Sequence, residues 1–279
     1  MKNVQIFDIQ RCSMVDGPGL RTTVFFKGCN LHCLWCHNPE SQSVQKQIMI
    51  HKKRCKGCGR CIKICPYHLK KCDLCGKCAD YCPTGAREMV GESKSTREVF
   101  DEITKDISFY EGSAGGVTFS GGECMLQIDA LEELLRFCHE NKIHTAVDTA
   151  GHVPFSYFER VLPYTDLYLY DIKCADPQNH LRSVGVTNER ILENLTKLSE
   201  IVPEKLLIRI PVIPGINTFE SEMRGMASIL HSRGITRFEL LPYHRMGEHK
   251  YEDLGISLHL FDVPSQDDMN KYKTYFAVQ

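Results

Sequence analysis

Eight of the chain's fifteen cysteines lie between positions 55 and 82, and their spacing restricts what that stretch can become. Cys55-x2-Cys58-x2-Cys61-x3-Cys65-Pro66 is followed by Cys72-x2-Cys75-x2-Cys78-x3-Cys82-Pro83, an internal repeat. Thiols two and three residues apart suit a metal cage better than pairwise bridges. Disulfides also fit poorly with an odd total and with a chain that opens on no secretory segment. In runs of this kind the fourth Cys of each half ligates the other of two [4Fe–4S] clusters. That rule assigns Cys55, Cys58, Cys61 and Cys82 to one cluster, and Cys72, Cys75, Cys78 and Cys65 to the second. A pair of zinc knuckles is the alternative. Lys and Cys dominate residues 51–90 and apolar periodicity vanishes there, so ligation should carry the folding free energy of this segment.

A second cysteine pattern stands apart. Cys29-x3-Cys33-x2-Cys36 follows the apolar run at residues 22–26, which reads as a strand. Three thiolates on a short loop can hold three irons of a cubane and leave the fourth without a protein ligand. Clusters normally take four Cys, so the shortfall implies that a small molecule binds the remaining iron. Zinc is the rival, with His32 or His37 as a fourth ligand. Cys12, Cys124, Cys138 and Cys174 fall outside any pattern and are expected as small buried hydrophobes.

With 42% hydrophobic and 25% charged residues, the 279-residue chain has ordinary globular composition, enough for one large domain and a small one. A net charge of −1 gives no sign of a nucleic-acid or membrane surface. The N-terminus lacks an apolar signal core, and no apolar stretch reaches the ~20 residues that span a bilayer. The expected location is the cytoplasm.

From residue 95 the chain alternates between strand and helix patterns. Residues 95–110 read as one helix with Ser95 or Thr96 as N-cap, and residues 126–142 as another. Strands are expected at 117–120, 144–148, 167–172, 206–213 and 238–242, with 6–9 as a short leading strand. Counting 22–26, this makes six βα units and predicts a parallel sheet with helices outside. Without the cysteine-rich insert the chain is too short for an eight-unit barrel of ~250 residues. A laterally open, partial (β/α)6 TIM-like barrel fits, and a flat doubly wound sheet is the alternative. The expected domains are 1–50 and 91–279 for the barrel and 51–90 for the insert. Ligands of such folds sit at the carboxyl ends of the strands. Gly121-Gly122-Glu123, Asp148-Thr149, Asp171 and Lys173 lie there. Arg209, in the middle of an apolar strand, should face a polar pocket, because an unpaired buried cation is costly.

The Cys29, Cys33, Cys36 spacing matches the radical S-adenosylmethionine (SAM) signature. Asp16-Gly-Pro-Gly, Lys27-Gly-Cys-Asn, Cys36-His-Asn-Pro-Glu40 and Leu240-Leu-Pro-Tyr-His244 resemble the activating enzymes of glycyl radical enzymes, across nearly the whole chain. The resemblance implies a radical SAM barrel with a bacterial-ferredoxin-like insert. It also implies SAM chelated by the open iron, reductive cleavage to a 5′-deoxyadenosyl radical, and hydrogen abstraction from a backbone glycine of a partner glycyl radical enzyme. By the same resemblance Trp35, Gly121, Gly122, Glu123, Lys173, Arg209 and His244 contact SAM. Asp148, Thr149, Asp171 and the carbonyl of Leu169 would hold a monovalent cation (Na+ or K+) beside the SAM carboxylate. The Asp16 loop would lie where the partner's glycine enters. Three [4Fe–4S] clusters, a flavodoxin or ferredoxin as reductant and a monomeric chain complete the expectation. An electron carrier fused to a barrel, or a radical SAM enzyme acting on a small molecule, are the other readings. The insert departs from the pyruvate formate-lyase type and favours activators of dehydratases, decarboxylases, arylsuccinate-forming or choline-cleaving enzymes.

Overall fold

The computed structural model describes residues 1–277 of the chain. Strands β1 (Asn3–Ser13), β2 (Arg21–Phe26), β3 (Gln47–Ile50), β4 (Arg87–Val90), β5 (Glu92–Ser95), β6 (Gly116–Gly121), β7 (His144–Thr149), β8 (Leu167–Asp171), β9 (Leu206–Val212) and β10 (Phe238–Pro242) form two sheets. The large sheet runs β10-β9-β8-β7-β6-β2-β1-β5. From β2 to β10 every neighbouring pair is parallel, so the six strands anticipated from the sequence form one continuous parallel array. The order never reverses, which rules out the doubly wound alternative, since that fold needs a switch point.

Alternation along the strands gives the array an apolar outer face and a polar inner one. Val24, Phe26, Val117, Phe119, Val147, Tyr168, Tyr170, Ile208 and Ile210 are buried in one core with Leu131, Leu134, Leu135 and Cys138 of the helix Ile128–Glu140. The other parity presents Arg21, Thr23, Thr118, Ser120, Asp148, Asp171 and Arg209. Arg209 reaches across β8 to within 3.5 Å of Asp148 on β7. The loop after β2 meets the loop after β10, where the His37 and His244 rings stack at 4.0 Å. Five flat inter-strand spacings amount to ~24 Å, so the sheet is curled. Its edge strands β10 and β5 do not pair, and the barrel stays open.

Two sequence expectations need correction. Residues 95–110 are not one helix. Ser95 does cap Thr96–Thr104, with Glu98 completing the capping box, but a second helix, Ile107–Ser113, starts after Asp106. The Asp106 carboxylate accepts from Thr22 Oγ1 at 2.6 Å and from Arg11, and this cross-chain demand sets the break. Cys12 is exposed with φ +57°, unlike the buried Cys124, Cys138 and Cys174. An irregularity in the β1–β2 register between Gln10 and Ser13 turns it outward.

The segment between β3 and β4 leaves the barrel on an antiparallel ribbon, with Gln47 opposite Val90 and Ile50 opposite Arg87. Its sequence repeat is also a structural one. Cys58-Gly59 and Cys75-Gly76 each lead into a short helix, Arg60–Ile64 and Lys77–Asp80, through a glycine at φ +69° and +78°. Among the described residues no helix is long and apolar enough to cross a membrane.

Candidate active site

The cysteine loop is fastened on three sides. Cys29 N–H donates to Gln42 O, and His32 and Leu34 N–H groups donate to Val184 O and Ser183 O at 2.8 and 3.0 Å. Tyr251 Oη donates to Cys36 O at 2.9 Å. One cavity at the carboxyl ends of the strands is walled by Cys29, Cys33 and Cys36 on one side. Gly121, Gly122, Asp148, Thr149, Asp171 and Lys173 wall the other. Burial pushes the Cys29 and Cys36 thiols up to about 12, with neighbouring acidic groups adding to it. Such thiols become thiolates only when a positive centre displaces their protons.

Gly121 and Gly122 are required by backbone approach. A Cβ on Gly121, at φ +110°, would lie 2.4 Å from the Phe26 backbone, and one on Gly122 would lie 2.2 Å from Gly28 O. Gly122 N–H donates to Phe26 O and Glu123 N–H to Gly28 O, both at 2.8 Å, so the turn after β6 is zipped to the turn after β2. The Glu123 carboxylate does not line the cavity. It accepts from Thr149 Oγ1 at 2.8 Å, Ala150 N at 3.0 Å and Met125 N at 3.2 Å. Burial raises its pKa to about 7 against these hydrogen bonds.

Opposite the cysteines, Lys173 Nζ donates to Asp171 Oδ2 at 2.7 Å. Burial pulls Lys173 down, but Asp171 and the Cys33 sulfur outweigh it, and the ammonium is held charged. Ser120 Oγ donates to Asp148 Oδ2 at 2.6 Å. Burial raises the Asp148 carboxyl, while Arg209 opposes that shift. Arg209 is only 18% exposed, yet its Nε and Nη1 have no hydrogen-bond partner. The guanidinium lies 3.5 Å from Asp148 in the cavity wall, and its unfilled hydrogen-bond positions fit an anionic ligand group. Together with three thiols and no fourth Cys in the wall, the donor set fits a cubane and a carboxylate-bearing cofactor.

The other expected contacts are placed differently. Trp35 is packed among Leu31, Val184, Ile213 and Tyr243 and does not line the cavity. His244 stacks on His37, whose Nε2 lies 2.8 Å from His244 O. Thr149 Oγ1 is engaged by Glu123 although the residue borders the cavity. Sequence reasoning missed Leu31, Ser41 and Ala150 in the cavity wall, and it missed Arg21. Arg21 is fully buried and donates to Thr118 Oγ1 at 2.6 Å and Pro18 O at 3.0 Å. Arg21 opens β2, one residue before the apolar run, so the argument applied to Arg209 in mid-strand did not reach it. Asp16 accepts from Ser13 and Thr23 hydroxyls at 2.7 and 2.8 Å, which fastens its glycine-rich loop to the lumen.

In the insert, Cys65, Cys72, Cys75 and Cys78 line one cavity with Ile48 and Ile50. This is the crossed set expected from the repeat. Among the described residues no three His, Cys, Asp or Glu side chains converge at single-ion distances.

The Radical SAM superfamily model matches residues 23–224. The trans-4-hydroxy-L-proline dehydratase activating enzyme of Clostridioides difficile is 41% identical over 98% of this chain and 96% of its own length. The choline trimethylamine-lyase activating enzyme of Oleidesulfovibrio alaskensis is 39% identical over 94% and 91%. A radical SAM methyltransferase from Sphaerobacter thermophilus shares the fold over 99% of this chain and 73% of its own, with a TM-score of 0.57 at 15% identity.

Proposed function

We propose a specific function from one premise: the chain belongs to the radical SAM superfamily, among the activating enzymes of glycyl radical enzymes. As such it uses SAM and a [4Fe–4S] cluster to activate a partner by generating a radical. The partner, on this reading, is a glycyl radical enzyme of the dehydratase, decarboxylase or choline-cleaving kind, rather than pyruvate formate-lyase. Relatives of about 40% identity that span almost the full chain carry those first three activities in their names.

The observation that carries the site assignment is Arg209, buried with Nε and Nη1 not hydrogen-bonded and 3.5 Å from Asp148, a residue in the wall of the three-cysteine cavity. Cys29, Cys33 and Cys36 would ligate the cluster. Arg209 and Lys173 would hold the SAM carboxylate, and the turn at Gly121 and Gly122 would lie along its amino end. When bound, the cofactor and cluster supply reductive S–C5′ cleavage and the resulting carbon radical, which takes hydrogen from the partner's glycine. The chain's task is orientation and exclusion of water. Trp35 packs against Leu31 of the cavity wall. Asp148, Asp171 and the Leu169 carbonyl remain the proposed seat of a monovalent cation, and Thr149 Oγ1, which donates to Glu123 and accepts from Gly151 N, keeps one lone pair with which to join. Two further [4Fe–4S] clusters in the insert, a flavodoxin or ferredoxin as reductant, a cytoplasmic location and a monomeric chain complete the reading.

The test is anaerobic. Reconstituted protein with SAM and reductant should raise a glycyl radical signal on one of the candidate partners. Formation of 5′-deoxyadenosine with no such signal on any of them would favour a small-molecule substrate. Arg209→Met should weaken SAM binding about tenfold to a hundredfold, as expected for loss of a charge-assisted pair, without changing iron content. Unchanged affinity would remove Arg209 from the site.

A further inference from the structure

Charge is distributed very unevenly along this chain. Residues 51–90 carry ten Lys or Arg against three Asp or Glu, a net of +7 in a chain whose net is −1. The excess lies in one half of the repeat. Lys52, Lys53, Arg54, Lys56, Arg60 and Lys63 surround Cys55, Cys58 and Cys61 with no acidic residue between them. All six are exposed. Among the described residues only Lys52 has an ion-pair partner, Glu252 at 3.3 Å. In the other half, Lys70, Lys71 and Lys77 are offset by Asp73 and Asp80.

The two halves also differ in what their thiols adjoin, although each has two exposed cysteines. Cys55 and Cys58 are exposed, whereas Cys78 is buried and its set lines a cavity against Ile48 and Ile50 of β3. That strand belongs to the ribbon joining the insert to the barrel. The two sets therefore differ in their surroundings: Cys55, Cys58 and Cys61 lie among six exposed cations, five of them without an ion-pair partner among the described residues, while the other set, although Cys72 and Cys75 also reach solvent, lines a cavity against β3.

We propose that the Cys55–Cys58–Cys61 lobe is the docking face for an acidic one-electron carrier protein, which delivers its electron there and not at the barrel mouth. The inference rests on the two-cluster reading of the insert. An ordinary solvated surface mixes both signs, and concentrated like charge is unfavourable unless a complementary partner meets it. A single-sign patch raises the encounter rate with an opposite partner roughly tenfold to a thousandfold. The barrel mouth must admit a peptide loop of the activated enzyme, so a carrier arriving there would compete with the substrate. Docking on the insert lets both bind at once. The step is one electron: the carrier is oxidised by one and the outer cage reduced by one, with no bond formed or broken. The inner set, Cys65, Cys72, Cys75 and Cys78, then lies on the way to the barrel.

The test uses full-length reconstituted protein and an acidic flavodoxin as probe. Binding of oxidised flavodoxin is titrated over a range of salt, and reduction by its hydroquinone is followed by anaerobic stopped flow. The wild type is compared with the combined variant Lys53→Glu, Lys56→Glu, Arg60→Glu and Lys63→Glu. Binding should weaken at least about tenfold, its salt dependence should flatten, and the reduction rate should fall about tenfold to a hundredfold. Reduction by photoreduced deazaflavin, which is not steered by this charge, should be unchanged. Wild-type binding and rate in the variant would overturn the proposal. If the reversed variant fails to hold iron, the milder set with Gln at the same positions gives the same readout, with a smaller expected loss. Iron content and spin count on the same samples judge the cluster reading separately. Fewer than three clusters alongside charge-dependent binding would overturn that reading and electron delivery at this lobe with it, whereas three clusters with charge-independent binding would overturn the docking face alone.

Discussion

The barrel and the insert differ first in what they bury. The outward faces of β2, β6, β7, β8 and β9 place Phe26, Phe119, Val147, Tyr170 and Ile208 at essentially zero exposure against the helices. Of residues 51–86, by contrast, only Cys78 and Ala86 are buried. Apolar burial contributes about 25 cal/mol per Å2, so the barrel has a driving force of its own and the insert has almost none. One chain thus holds a region shaped by packing and a region whose shape depends on its ligands. Iron loading and core packing should affect these regions separately.

The largest effect expected is from iron removal. Anaerobic chelation should unfold the insert while β2 and β6–β9 keep their amide protection, because structural ligation contributes on the order of 10 kcal/mol. Hydrogen exchange read segment by segment would show it. Equal loss of protection in both regions would break the distinction. Next in size, Phe119→Ala should cost about 3–5 kcal/mol, since the ring is fully buried and meets Phe26 edge-on at 6.1 Å. Thermal unfolding should shift by several degrees. Iron bound in the insert below that transition should not change.

The smallest effect concerns the seam between the regions. His51 Nδ1 lies 2.7 Å from Asp253 and its Nε2 lies 2.8 Å from Glu88. Burial pulls its pKa down, but the two carboxylates prevail and raise it. Such a group stabilises fully below the unfolded value near 6.5, and its contribution fades as pH rises through the higher folded value. The protection of β3, β4 and Glu248–Leu254, taken relative to the base-catalysed exchange of free amides at the same pH, should therefore fall from pH 6 to pH 8, and His51→Gln should remove that fall. A pH-independent seam in the wild type would show that the ribbon alone holds the insert.

The six strands, the cysteine loop and the Ser95 capping box were legible because each is written in consecutive residues. The repeat grouped Cys65 with Cys72, Cys75 and Cys78 as ligands of one cluster, and these four line one cavity. What could not be read depends on partners far along the chain. Glu123 looked like a cavity residue beside two glycines, yet its carboxylate is claimed by Thr149 and Ala150, 26 and 27 positions away. Asp106 interrupts a good helical pattern because Thr22, 84 positions back, needs it. His37 and His244 meet only because the sheet curls. Periodicity reports the face a residue occupies, and it carries no information about which distant side chain occupies the same place.

The helix Glu248–Leu254 touches both regions at once. Tyr251 and Lys250 hold the loop at Cys36 and Glu40, while Glu252 and Asp253 reach Lys52 and His51. The insert is therefore no detachable cassette. A chimera that exchanged only the segment between the ribbon strands among relatives would lose its footing on the barrel and would slacken the cysteine loop. Protein engineers who wish to transplant it must carry this helix along as its matching half.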